Sequence, residues 1–278
     1  MGIYDQPNSW QCGPFALKHG LLAHGVFVHE EDITKVAGTT ETDGTDDRQL
    51  ARAAQAFGGV LECRRFRTAI GARRALARLL AAQVPVLLCV DQWDHWVTAV
   101  GADAEHVAVL DSHYDTVVRL EPWGPLVRRI RYRDPHGSWV HRLPVYDLHV
   151  LAVRGETGLK LALTPARARR VLAAPAAVRG ALDTYAQRLA PFAARNGRSG
   201  GAVALAPWLT ERTTDLAAQA DAGTLASFAL AAEVFGVRCH PSDLRDVCRV
   251  VRESGRAPAP ASAVSYQQHH PKALAAAS

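Results

Sequence analysis

Between Cys12 and Ala23 the apolar residues Phe15, Ala16, Leu17, Gly20, Leu21, Leu22 and Ala23 run almost all the way round a helix, broken only by Lys18 and His19 before His24 and Gly25. A helix apolar on every side is a buried one. Residues 30–37 suit a short helix. Leu50, Ala53, Ala54 and Phe57 then recur at helical spacing, with Thr45 or Asp46 to cap them and Gly58 and Gly59 to stop them. Leu76, Leu79 and Leu80 predict a fourth helix over 72–83, ended by Pro85.

From there the period changes. Residues 86–90 form a continuous apolar run, and Trp96, Thr98, Val100 and then Val107, Val109 alternate on either side of a short turn, which predicts strands over 95–101 and 106–111. Residues 60–66, 116–120, 127–132 and 148–154 read as further strands. A helical half followed by an antiparallel sheet is an α+β order. Beyond Thr164 the texture becomes Ala- and Arg-rich. Helices are expected after Pro165 and Pro175 and over 207–220, 222–235 and 241–253, with a flexible break at 196–201. The expected division is an α+β domain over 1–154, an all-helical region over 160–254, and a flexible Pro/Ala/Ser tail over 255–278.

Hydrophobic residues at 48% and charged residues at 21% are globular values and exclude a disordered or fibrous chain. The net charge of +5 is mildly basic, but the arginines fall in short clusters at 64–67, 73–74 and 128–133 that read as solvated faces. With no recognisable module beside them, no nucleic-acid partner is expected. Five cysteines without a pairing pattern point to a reducing cytoplasm, with Cys63, Cys89, Cys239 and Cys248 as packed thiols. The first residues hold no signal-like segment, and no apolar run is long enough for a membrane span.

Cys12 is different because of its position. At the mouth of a buried helix it meets unpaired backbone N–H groups and the positive end of the helix dipole, which favour a thiolate. Pro14 suits a first turn, and Gly13 leaves room for a substrate. Free cysteines usually just pack, so the case depends on companions: a base, a group to orient it, and an oxyanion donor. A turn centred near Asp103 would set His95 directly opposite Asp111, on one face of the sheet and within reach of an imidazole–carboxylate hydrogen bond. A slip of one residue would part them. Gln6 supplies a side-chain amide as oxyanion donor. His113 is a rival base. Trp10, Trp93 and Trp96 are candidate walls of a substrate cleft, and His106, His136, His141 and His149 read as surface histidines.

On Gln6, the Cys12–Gly13 pair, His95 and Asp111, residues 1–153 resemble the papain-like cysteine peptidases. The closest resemblance is to the bacteriocin-processing family that removes double-glycine leaders, and to its stand-alone relatives. Residues 37–58 resemble the helical segment that follows the nucleophile helix in that family. The sequence CGPF departs from the papain signature, and the histidine comes earlier in the chain. The resemblance implies a papain-like fold, a peptide or protein substrate such as a leader or precursor, a thioester on Cys12, and no cofactor or metal. It leaves open whether water attacks the thioester, as in a peptidase, or an amine, as in an acyltransferase; hydrolysis of a small-molecule amide is a further alternative. Relatives that only bind peptides lack the nucleophile. The helical region is expected to select the substrate or a partner protein and to supply no catalytic group, so a fragment ending near Arg154 is expected to keep its thiol reactivity.

Overall fold

The computed structural model describes residues 3–133, 143–154, 159–180, 182–195, 201–217 and 220–256. The expected break at 196–201 lies almost wholly outside them, as do His136, His141 and nearly all of the expected tail. Three helices come first: α1 (Cys12–Ala23), α2 (Glu30–Ala37) and α3 (Asp47–Ala56). Every residue of α1 is buried, as its apolar circumference requires. Its Lys18 is neutralised by Glu30 at 2.9 Å and lies 3.6 Å from the centre of the Tyr4 ring. Asp46 and Gln49 close a capping box at the start of α3.

β1 (Gly59–Phe66), α4 (Ala69–Ala81), β2 (Val86–Val90), β3 (His95–Ala102), β4 (His106–Leu110) and β5 (Val118–Pro122) come next, then α5 (Trp123–Arg129), β6 (Arg131–Tyr132) and β7 (Val145–Val153). The strands form one antiparallel sheet in the order β1-β7-β2-β3-β4-β5, with β6 beside β7. This is the expected α+β order, with one correction. The strand expected over 127–132 is confined to β6, because residues 127–129 end the helix α5, which with Ile130 buries Trp123 and Leu126 at helical spacing and holds Pro125 inside the first turn, where its missing N–H costs nothing.

The sheet is covered on both faces. On one, α4 and α5 pack on Val86, Leu88, Val90, Val97, Ala99, Val107 and Val109. On the other, α1, α2 and α3 pack on Leu87, Cys89, Trp96 and Leu151. Gly20 lets α1 lie close, since a β-carbon there would stand 2.8 Å from Leu151 and 3.0 Å from Leu87.

The rest of that second face is closed by the elements C-terminal to β7, namely α6 (Pro165–Ala173), α7 (Ala176–Gly180), α8 (Leu182–Arg195), β8 (Val203–Ala204), α9 (Leu205–Glu211), α10 (Thr213–Ala217), α11 (Ala222–Val234), β9 (Arg238–Cys239) and α12 (Leu244–Arg256). Leu22, Val100, Leu110, Val117 and Val118 share one hydrophobic cluster with Leu163, Val171, Leu189, Phe228 and Val251. Thr164 caps α6 as its sequence predicts.

β3 and β4 carry the irregularity that matters for the site. Ala102 faces Val107 and Gly101 faces Ala108, but beyond Val100 the register moves by one, so that Ala99 faces Val109 and Thr98 faces Leu110. Val100 is the extra residue of a β-bulge. Gly101 is a glycine because the backbone oxygen of Leu163 would stand 2.4 Å from any β-carbon there.

Candidate active site

The bulge decides whether His95 and Asp111 meet. Continued from the turn without it, the register would set Asp111 opposite Thr98 and turn His95 to the other face. With it, the pairing extends to bring Asp111 opposite Val97, two residues from His95 and on the same face. The direct pairing expected from the turn is therefore a diagonal one, and it closes: His95 Nε2 lies 2.7 Å from Asp111 Oδ1. Asp111 is fully buried, and the same Oδ1 also accepts from the backbone N–H of His113 at 3.2 Å. The His113 side chain is exposed, with its ring edge-on to that of His95 at 5.7 Å, so His95 and not His113 takes the carboxylate.

The Cys12 side chain lies close enough to act on the same ring. With Nε2 engaged by Asp111, Nδ1 is the nitrogen left for the sulfur. Burial would strip the imidazole of its proton, but the hydrogen bond it donates to Asp111, with Asp111 and Cys12 beside it, outweighs that and pushes its pKa up to about 9. Asp111 is subject to the same contest. Burial works against its charge, yet the hydrogen bond to His95 holds its carboxyl below the usual range.

Cys12 opens α1, and Gln11, at the N-cap, makes no side-chain cap. The sulfur stays beside the positive end of the helix. Gln6 is buried and tied to the end of β4: its backbone N–H donates to Ser112 O at 2.8 Å, and its Oε1 accepts from Ser112 Oγ at 2.7 Å. Its Nε2 donates to Asn8 O at 2.7 Å, and a carbonyl can only accept, so the amide is oriented and one N–H remains to be used. The loop carrying Gln6 is thereby strapped beside Asp111.

Several expectations need correcting. Gly13 is not open to a substrate, because a β-carbon there would stand 2.8 Å from Thr45 Cβ; its smallness seats α1 against the chain itself. Trp96 is buried beneath Cys12 and Cys89, with its indole N–H on Thr45 O, and walls no cleft. Trp93 is exposed and stacked on Tyr132 at 3.7 Å, and Trp10 is half-buried. His149 is buried against Trp96, not on the surface, and burial lowers its pKa. Cys63 is exposed, although partial desolvation and Asp147 push its thiol up to about 11.

Arg129, read from the sequence as one of a solvated cluster, is instead half-buried. It pairs with Asp91 at 2.8 Å and with Glu121, and lies 3.7 Å from Asp111 Oδ2. The loop it holds is strained: Asp91, Gln92 and Trp93 have φ of 54°, 64° and 69°. That left-handed backbone costs a non-glycine residue roughly 1–2 kcal/mol. No periodicity marks such a residue, and nothing in the sequence sets the acidic loop at Asp91 beside Arg129. Among the described residues no group of histidines, cysteines and carboxylates could hold a metal ion, and no helix is long and apolar enough to cross a membrane.

No family model matches the chain, and no curated protein sequence does. Solved structures do. The chain is similar to the peptidase domain of Streptococcus ComA, a bifunctional ABC transporter of a quorum-sensing pathway, at 15% identity over 52% of this chain and 95% of that one, with a TM-score of 0.38. It is similar to a double-glycine motif protease from an AMS/PCAT transporter, solved with its leader peptide, at 14% identity over 53% and 91%, with a TM-score of 0.39. The peptidase domain of Streptococcus mutans ComA matches at 15% identity over 53% and 98%, with a TM-score of 0.34.

Proposed function

We propose that this chain is a cysteine peptidase in which Cys12 is the nucleophile, His95 the base and acid, Asp111 its orienting partner, and Gln6 an oxyanion donor. The observation that carries the reading is the His95 ring held 2.7 Å from the buried Asp111 carboxylate, with Cys12 near enough to act on it at the start of α1. A protonated imidazole beside a thiol at a helix N-terminus favours the thiolate. The thiolate adds to a carbonyl carbon, and the negative charge that forms on oxygen is met by the backbone N–H of Cys12 and the remaining N–H of Gln6. His95 then gives its proton to the departing amine, leaving a thioester on Cys12. Water, deprotonated by His95, releases the acid and restores the thiol.

The substrate class comes from the residues that resemble the leader peptidases: a peptide whose leader or precursor segment is removed. Substrate or partner selection falls to residues 160–254. The test is to compare new N-termini formed in a pool of host peptides by the wild-type protein and by Cys12→Ala. New N-termini that require Cys12 support the peptidase. An amine joined to an acyl group by Cys12, without peptide cleavage, would replace it with an acyltransferase, and no product from either protein would sink the enzyme reading.

A further inference from the structure

The strained loop ahead of His95 is anchored by one segment. The Asp91 N–H donates to Arg129 O at 2.8 Å, and the Asp91 carboxylate takes Nε and Nη2 of Arg129. The Gln92 side chain donates to Arg131 O and accepts from the Arg133 N–H. Trp93 stacks on Tyr132 with the rings 7° from parallel. At the other end, Asp111 Oδ2 is buried and has no hydrogen-bond partner, with the Arg129 guanidinium 3.7 Å away.

We propose that Arg129 is a positioning residue of the site, a single guanidinium that fixes both members of the His95–Asp111 pair. It holds the His95 end through Asp91 and the left-handed loop, and the Asp111 end through the charge it sets against Oδ2. The proposal rests on the reading of Cys12 as nucleophile.

The groups whose charge reaches Asp111 are His95 from β3, His19 from α1, Glu121 from β5 and Arg129 from α5, with the backbone N–H of His113 bonded to it and Arg119 acting on Glu121. His19 is kept neutral by burial, its pKa pushed down to about 3. Burial already raises Glu121 in spite of Arg129. Without the guanidinium, two buried carboxylates would compete for a proton. The guanidinium favours the ionised form of Asp111, and that support would be lost.

The test measures the rate of Cys12 alkylation by iodoacetamide from pH 4 to 10 in the full chain, read by peptide mapping. In Arg129→Met the acid limb should move up by about one pH unit, a roughly tenfold loss of rate at a pH on that limb, and the plateau rate should fall as the Asp91 anchor is lost. Arg129→Lys, which restores the charge but not the fork, should return the limb without the full rate. Arg129→Met/Glu121→Gln, which removes the stranded carboxylate, should not restore either.

A uniformly slower Arg129→Met with wild-type limbs, or full recovery in the double variant, would make Arg129 merely structural and overturn the proposal. If Arg129→Met fails to fold by circular dichroism, Arg129→Gln takes its place on the same readout: an acid limb moved up supports the proposal, and a wild-type limb overturns it. A wild-type Cys12 no faster than Cys63 is a separate result that overturns the nucleophile reading and this proposal together.

Discussion

Ending the chain at Arg154 removes the helices that close one face of the sheet, and the cost can be worked from the side chains uncovered. Leu22, Val100, Leu110, Val117 and Val118 are each no more than 9% exposed and share a cluster with α6, α8, α11 and α12. Full burial of such a side chain is worth roughly 1.5–3 kcal/mol. If the helices provide half of the cover for these five, the loss is about 4–7 kcal/mol, set against a typical total of about 5–15 kcal/mol. The fragment should then be marginal or unfolded, and lose thiol reactivity because α1 is loosened rather than because a catalytic group is gone. Urea unfolding of residues 1–154 and of the full chain, monitored by near-ultraviolet circular dichroism, measures it. A cooperative fragment within about 1 kcal/mol of the parent, less than one such side chain, would refute the reasoning and make the helical region an independent appendage.

Other changes have defined outcomes. Asp111→Asn should cost less activity than Asp111→Ala, since an amide oxygen can still accept from His95; equal losses in kcat/KM would point to an indirect role for Asp111. Gly101→Ala should destabilise the chain by about 1–3 kcal/mol in urea unfolding, because the Leu163 oxygen must move; an unchanged midpoint would mean that the segment after β7 is not held there. The raised His95 pKa has a stability consequence, best read in Cys12→Ser, where the thiol's own titration does not enter. The contribution of His95 is full below its ordinary 6.5 and is lost as pH rises through its folded value, about 9 with the thiol present. The gap in unfolding free energy between Cys12→Ser and Cys12→Ser/His95→Gln should therefore narrow from pH 6 to 10, and a constant gap would contradict it.

Much of this was legible in the residues because burial writes itself as periodicity. The all-round apolar face of α1, the capping residues of α3 and α6 and the alternation in β3 and β4 each predicted the element that formed. His95 and Asp111 were found from parity alone, although the register that joins them differs from the expected one. The bulge at Val100 has one mark in the sequence, Gly101 inside a strand pattern, but the Leu163 backbone that lies against that glycine comes from far along the chain. Arg129 was misread for a related reason. A charged residue in a basic run looks solvated until the fold brings Asp91, Glu121 and Asp111 around it. Helix α5 reads as a strand because Ile130 and Tyr132 alternate at strand spacing while Leu126 and Ile130 recur at helical spacing, and so short a run does not separate the two.

The central claim is that His95 activates Cys12, and brief alkylation at pH 7 tests it most directly. Cys12 is only 7% exposed whereas Cys63 lies open to solvent, so access alone favours Cys63. Activation predicts that iodoacetamide labels Cys12 faster than Cys63, as read by mass spectrometry of the digested protein, and that the advantage disappears in His95→Gln. A Cys12 that labels no faster than Cys63, or one that keeps its advantage without His95, would contradict it.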